Sequence, residues 1–202
     1  NPLFASQPAP AVIDGYGIVN IGASVLLNVS GTRHDERVVS ELFSNKGRAL
    51  DGGAVSLEGF SILMDATSGI DASGGIGFSG RGKISKGNGG SISILAGKDP
   101  MLATSAGGSL MLPGTLQAHS ALKGGSLRIQ APEIVLTGKT GDAPVLSQGS
   151  ILSLSPDFFQ RGGFTEFSLI ASGLNDSSHP SIDVTPGTII NPIAQTLVAS
   201  IS

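Results

Sequence analysis

Three stretches decide the reading of this chain: Gly89-Gly90-Ser91-Ile92-Ser93-Ile94, Gly107-Gly108-Ser109-Leu110-Met111-Leu112 and Gly124-Gly125-Ser126-Leu127-Arg128-Ile129. Each places a double glycine before a serine and then an apolar–variable–apolar triplet. Looser copies stand at Gly52-Gly53-Ala54-Val55-Ser56-Leu57 and Gly74-Gly75-Ile76-Gly77-Phe78, with later relatives at Gly149-Ser150-Ile151-Leu152-Ser153-Leu154 and Gly162-Gly163-Phe164. Apolar residues that alternate with small or polar ones over four to six positions mark a strand with one buried face. A second short apolar run often follows a Pro or Gly, as at Gly114-Thr115-Leu116, Pro132-Glu133-Ile134-Val135-Leu136 and Pro186-Gly187-Thr188-Ile189-Ile190.

A unit of 15 to 22 residues, the spacing from one phrase to the next, is too small to bury its own apolar face. Stacking such units solves the problem, because each is then covered by the floors on either side. The phrase therefore predicts an all-β solenoid: a single-stranded right-handed parallel β-helix with irregular loops. The hand is not written in these residues; it rests on the bias of parallel crossovers and on the family resemblance given below. Val55, Ile92, Leu110 and Leu127 are expected in one interior column, and Leu57, Ile94, Leu112 and Ile129 in the next. About ten coils at ~4.8 Å would give a rod on the order of 45 Å long.

Composition agrees with that class. Glycine supplies 30 of 202 residues and serine is nearly as frequent, whereas charged residues are only 13% and aromatic residues 4%. Disorder is excluded by the 40% hydrophobic content, collagen by the lack of a three-residue glycine period, and a helical bundle by glycines in nearly every window. A net charge of −3 without a run of cations argues against a nucleic-acid footprint. Cysteine is absent, which removes disulfides and thiolate metal sites. No 18-residue apolar run exists to span a bilayer.

Along the chain, residues 1–10 read as a Pro-rich linker, 52–138 as the regular repeats and 150–192 as an end region, all within one segment of a longer protein. Ile18–Ile21 and Val25–Val29 read as further strands. Asp35, followed by Val38 and Leu42, is expected to open a short surface helix. Phe158, Phe159, Phe164 and Phe167 hold half of all eight Phe and are expected to plug one end of the core. Asn175–Pro180 reads as a turn.

Motifs with possible chemistry fail on their context. Gly75-Ile76-Gly77-Phe78-Ser79-Gly80 has dinucleotide-loop spacing, but Gly82, Gly87, Gly89 and Gly90 forbid the helix that would hold a pyrophosphate. Gly77–Lys83 lacks the Ser or Thr of a P-loop, because Ile84 follows. A calcium roll needs Asp where Ser79 stands. His34, His119 and His179 have no partner at metal spacing. The acids are dispersed, and Asp142, Asp157 and Asp176 sit in turn-like sequence. The sequons at Asn28-Val29-Ser30 and Asn175-Asp176-Ser177 are common in Ser-rich chains. No catalytic, cofactor or metal residue is assigned.

The repeats of Gly89–Gly138, then Ala131-Pro132-Glu133-Ile134, the stretch Leu154-Ser155-Pro156-Asp157-Phe158-Phe159-Gln160-Arg161-Gly162-Gly163-Phe164 and Val184-Thr185-Pro186-Gly187-Thr188-Ile189 resemble the large exoproteins of the filamentous haemagglutinin family. The likeness is to a region downstream of the secretion domain, whose Asn-Pro-Asn-Gly type motif is missing: Asn1-Pro2-Leu3 and Asn191-Pro192-Ile193 do not match it. It implies a non-catalytic, adhesive β-helical shaft on the bacterial surface, exported by two-partner secretion. Its partners would be an outer-membrane TpsB-type transporter, engaged through another part of the chain, and a host or bacterial receptor or glycan. The residues 33–43 and 138–145 are candidate contact loops. The alternatives are a carbohydrate-active β-helix enzyme, which needs clustered acids on one face, and an autotransporter passenger.

Overall fold

The computed structural model describes residues 17–37, 47–97, 107–138, 145–173 and 182–193. They form strands β1 (Ile18–Ile21), β2 (Leu26–Asn28), β3 (His34–Asp35), β4 (Ala54–Glu58), β5 (Ser61–Met64), β6 (Gly69–Asp71), β7 (Ile76–Phe78), β8 (Ile84–Lys86) and β9 (Ser91–Leu95). These are followed by β10 (Leu110–Met111), β11 (Thr115–Gln117), β12 (Gly125–Ala131), β13 (Glu133–Leu136), β14 (Val145–Gln148), β15 (Ile151–Leu154), β16 (Phe164–Ala171) and β17 (Ile182–Val184). Among the described residues the only helix is a 3₁₀ turn, Pro156–Gln160. The protein is all-β, as its alternating sequence requires.

Pairing is mostly parallel. Three sheets are wholly so, in the orders β1-β5-β10, β11-β6-β2 and β16-β12-β9-β4. Chain order visits them in turn. β1, β2 and β4 lie on one pass, β5, β6 and β9 on the next, and β10, β11 and β12 on the third. The longer strands bury alternate side chains: β9, β12, β13 and β15 alternate buried residues with half-buried or exposed ones. One-sided burial means that the sheets share a core, rather than being covered by helices on both faces as is usual for parallel sheets.

Apolar columns run through the four-stranded sheet. Val55, Ile92, Leu127 and Phe167 are in register, as are Leu57, Ile94, Ile129 and Leu169. Leu110 and Leu112 are not in these columns. Leu110 pairs with Ile62 in another sheet. The expected floor of 15 to 22 residues is thus too short: Ile18 pairs with Ser61, 43 positions on. Among the described residues the longest parallel stack has four strands, a ladder of about 14 Å at ~4.8 Å per step, against the ten coils expected.

The backbone explains the discrepancy. Gly52-Gly53, Gly89-Gly90 and Gly124-Gly125 all precede strands of the same sheet and lie against one another. A Cβ on Gly89 would meet the Gly125 amide, and one on Gly90 would overlap the Gly53 carbonyl. None has a positive φ. Gly107 and Gly108 do, at 147° and 80°, and they pack on Phe60 instead. The same letters serve a backbone contact in one corner and a left-handed turn in another. The phrase marks corners, several to a pass, rather than the period.

Two insertions interrupt the stacking. β8 folds back antiparallel on β7, and β14 antiparallel on β15. In the last four-stranded sheet β13 lies between β15 and β17, both parallel to it. Strands form as expected at Ile18–Ile21 and within Val25–Val29. Pro186–Ile190 is no strand: Pro186 and Gly187, with φ at 85°, turn the chain, and the strand is earlier, at Ile182–Val184. Asp35 itself lies in β3, paired with Phe78 of β7, and the helix expected to follow it falls on residues 38–46, outside the described residues. Val38, Leu42, the linker 1–10, the turn Asn175–Pro180, and Asp142, Asp176 and His179 lie outside the described residues.

The phenylalanines cluster as expected. Phe159 and Phe164 are buried, with ring centroids of 5.4 Å for Phe158–Phe159, 5.2 Å for Phe159–Phe167 and 5.9 Å for Phe164–Phe167. β16 is an edge strand, so the edge-to-face cluster closes that end of the column.

Candidate functional site

Three surface features have enough structure to bind or react. The first is a trough of about 370 Å³ along the stacked glycine corners, with Lys123 and Glu166 beside it. Their charged atoms are 3.9 Å apart and both side chains are about 70% exposed. Its walls are backbone and small side chains, which give shape but little chemistry.

The second is the charged segment beside β3. Arg33 and Arg37 lie over the Phe78 ring, with guanidinium carbons 5.5 and 4.8 Å from its centroid. Arg37 Nε and Nη2 donate to the Asp35 carboxylate at 2.9 and 2.7 Å, and the Arg37 amide adds a third bond at 3.1 Å. The side-chain bonds from Arg37 hold the Asp35 carboxyl down at about 2, and the same pairing raises the Arg37 pKa. His34 Nε2 stands 3.0 Å from Glu36 Oε1. The group orders an arginine–aromatic stack and presents no nucleophile with a base. Elsewhere, Asp65 accepts from the Thr67 hydroxyl and amide, and its pKa is lowered for that reason.

The third is a hollow of about 480 Å³ beside β11. Its origin is topological. On earlier passes a strand of the β2-β6-β11 sheet follows the first strand, whereas after β15 the chain instead makes the 3₁₀ turn Pro156–Gln160. Pro156 at the first turn suits that turn, because its fixed φ fits and it lacks an amide to satisfy. β11 pairs with β6 on one side and, among the described residues, has no strand on the other, so it is an edge strand. Leu112, Leu116, Leu127 and Phe164, all at most 9% exposed, form the floor. Phe158, Val145, Gln117 and His119, all half-buried, and the exposed Arg161 complete the lining.

The residues singled out in the sequence are scattered. Gly75–Gly80 runs through β7 into the hairpin with β8, where no helix N-terminus faces a phosphate. Asn28 Oδ1 accepts from the Ser30 amide and hydroxyl, a local turn bond. His34 and His119 are in separate features. Among the described residues no group of three or more His, Cys, Asp or Glu side chains could hold a metal ion. The hollow had no signal in the sequence, since its residues come from four separate stretches.

Comparison with protein-family models, with curated proteins and with solved structures found no match. The class that the fold defines is therefore an all-β protein of stacked, mainly parallel sheets.

Proposed function

We propose that this chain is a non-catalytic shaft segment of a large secreted bacterial surface protein, an adhesin of the filamentous haemagglutinin type exported by two-partner secretion. In this reading the sheets are the faces of a right-handed parallel β-helix, each taking one strand from successive turns, and its work is mechanical. Stacked turns hold distal binding regions away from the cell, while the transporter and receptor are engaged elsewhere in the protein.

One observation carries most of the support. Val55 and Leu57 on the outer strand β4 are only partly buried, while Ile92 and Ile94, paired with them, are at 1% and 0% exposure. An interior column left open at its last layer is what a shaft continuing beyond β4 would present. Dispersed acids and uncharged glycine corners agree with a scaffold rather than a sugar-cleaving face.

The test uses the intact protein in its producing bacterium, with an epitope inserted in the β7–β8 turn at Arg81. External protease should remove the epitope from normal cells and leave it untouched when the partner transporter is deleted. An epitope that stays protected in both strains refutes the surface assignment. Purified protein that depolymerises a polysaccharide, with turnover abolished by removing one or two acids, would replace the shaft by an enzyme.

A further inference from the structure

We infer that the hollow beside β11 is a binding site for a small apolar acid: an aliphatic or aryl-aliphatic body carrying one carboxylate. The reasoning begins with what is missing from the sheet. β11 has β6 on one side and, among the described residues, no strand on the other. The Ala118 amide donates to the Gly162 carbonyl at 2.7 Å, and Gly162 lies against the Leu116 carbonyl. That close approach blocks an added β-strand at this end of β11. An extended peptide is therefore disfavoured, and the space suits a compact molecule.

The lining sets the class. The floor and walls are Leu112, Leu116, Leu127, Phe164, Phe158 and Val145, a surface that rewards an apolar body and offers few partners to a sugar's hydroxyls. The volume, about 480 Å³, lies within the ~300–1,000 Å³ of small-molecule sites. Arg161 is the single Lys, Arg, Asp or Glu in the lining, although acids outnumber Lys and Arg by 15 to 12 in the chain. It is exposed at the rim and takes part in no ion pair among the described residues. A guanidinium fork at the mouth of an apolar hollow matches a carboxylate head over an apolar tail. Gln117 and His119, half-buried in the lining, supply further polar contact without a competing negative charge.

Decanoate is the probe, titrated below its micellar concentration into the full chain and followed by methyl NMR at Leu116, Leu127 and Val145. Saturable shifts at those methyls are expected with half-saturation on the order of 1 mM or below. Arg161→Gln should weaken decanoate binding about tenfold, the loss of one charge-assisted contact, and leave decanol binding unchanged. Val145→Trp should abolish both. If that variant does not fold, as judged by its circular dichroism and melting, Gln117→Phe crowds the mouth in its place. Shifts that do not saturate, or that survive the blocking variant, overturn the site. Equal weakening of decanol and decanoate by Arg161→Gln overturns the acid preference, as does glucuronate displacing decanoate.

Discussion

Gly90 stands so close to Gly53 on the neighbouring strand corner that a Cβ on Gly90 would overlap the Gly53 carbonyl oxygen. The obstacle is backbone on one ladder, which cannot move aside as a flexible side-chain tip would. Gly90→Ala should therefore destabilise the protein by about 1–3 kcal/mol, the range for forced overpacking. Gly22→Ala, where nothing lies within 4 Å and φ is not positive, should change stability by less than about 0.5 kcal/mol. Chemical denaturation of the two variants checks the pair, and equal effects would contradict the stacked corner.

Position in the column should set the cost of a cavity. Ile92 lies between Val55 and Leu127 at 1% exposure. Ile92→Ala should cost about 2–5 kcal/mol, as large-to-small changes in closed cores do. Val55→Ala, at the open layer, should cost about 1 kcal/mol, because part of that methyl surface is already in water. If the Val55 variant proves as damaging as the Ile92 variant, the outer layer is not open and the reasoning about a continuing shaft loses its main support.

The strand alternation was legible in the sequence because burial follows it directly: Ile92 and Ile94 point in, Ser91 and Ser93 do not. The length of a pass was not. Gly89-Gly90 and Gly107-Gly108 share the same letters, yet one pair makes backbone contacts across strands and the other turns the chain with positive φ. Local sequence specifies the need for glycine and is silent on which need it is. β14 was invisible for a related reason. Val145–Gln148 has ordinary strand residues, and its antiparallel direction is set only by the turn at Gly149, with φ of 59°. The hollow beside β11 depends on an absent strand, and no residue pattern encodes an absence.

Phe159 is buried in the edge-to-face cluster with Phe158 and Phe167. Phe159→Ala should cost about 3–5 kcal/mol, plus up to ~1.5 kcal/mol for lost ring geometry. Phe159→Leu keeps apolar volume and should recover more than half of that loss. Thermal melting of the two variants decides whether shape or simple hydrophobicity matters. A leucine variant as unstable as the alanine one assigns the cluster to ring geometry, whereas near-native melting of both would mean that the cluster does not close the core.

Asp35 makes a pH prediction whose sign follows from its partner. Arg37 holds the carboxyl at about 2, below the ordinary 3.8. The folded state therefore binds this proton less readily than the unfolded chain. Its contribution to stability is present above about 3.8 and is lost as pH falls from there through about 2. The side chains are partly exposed, 29% for Asp35 and 37% for Arg37, so salt should weaken the effect. Carboxylate NMR titration of the intact protein should place the Asp35 midpoint near 2, and Arg37→Gln should return it toward 3.8. A midpoint that ignores the Arg37 substitution would leave the backbone amide of residue 37, which the variant retains, as the dominant donor and would remove the guanidinium fork from the account of this segment.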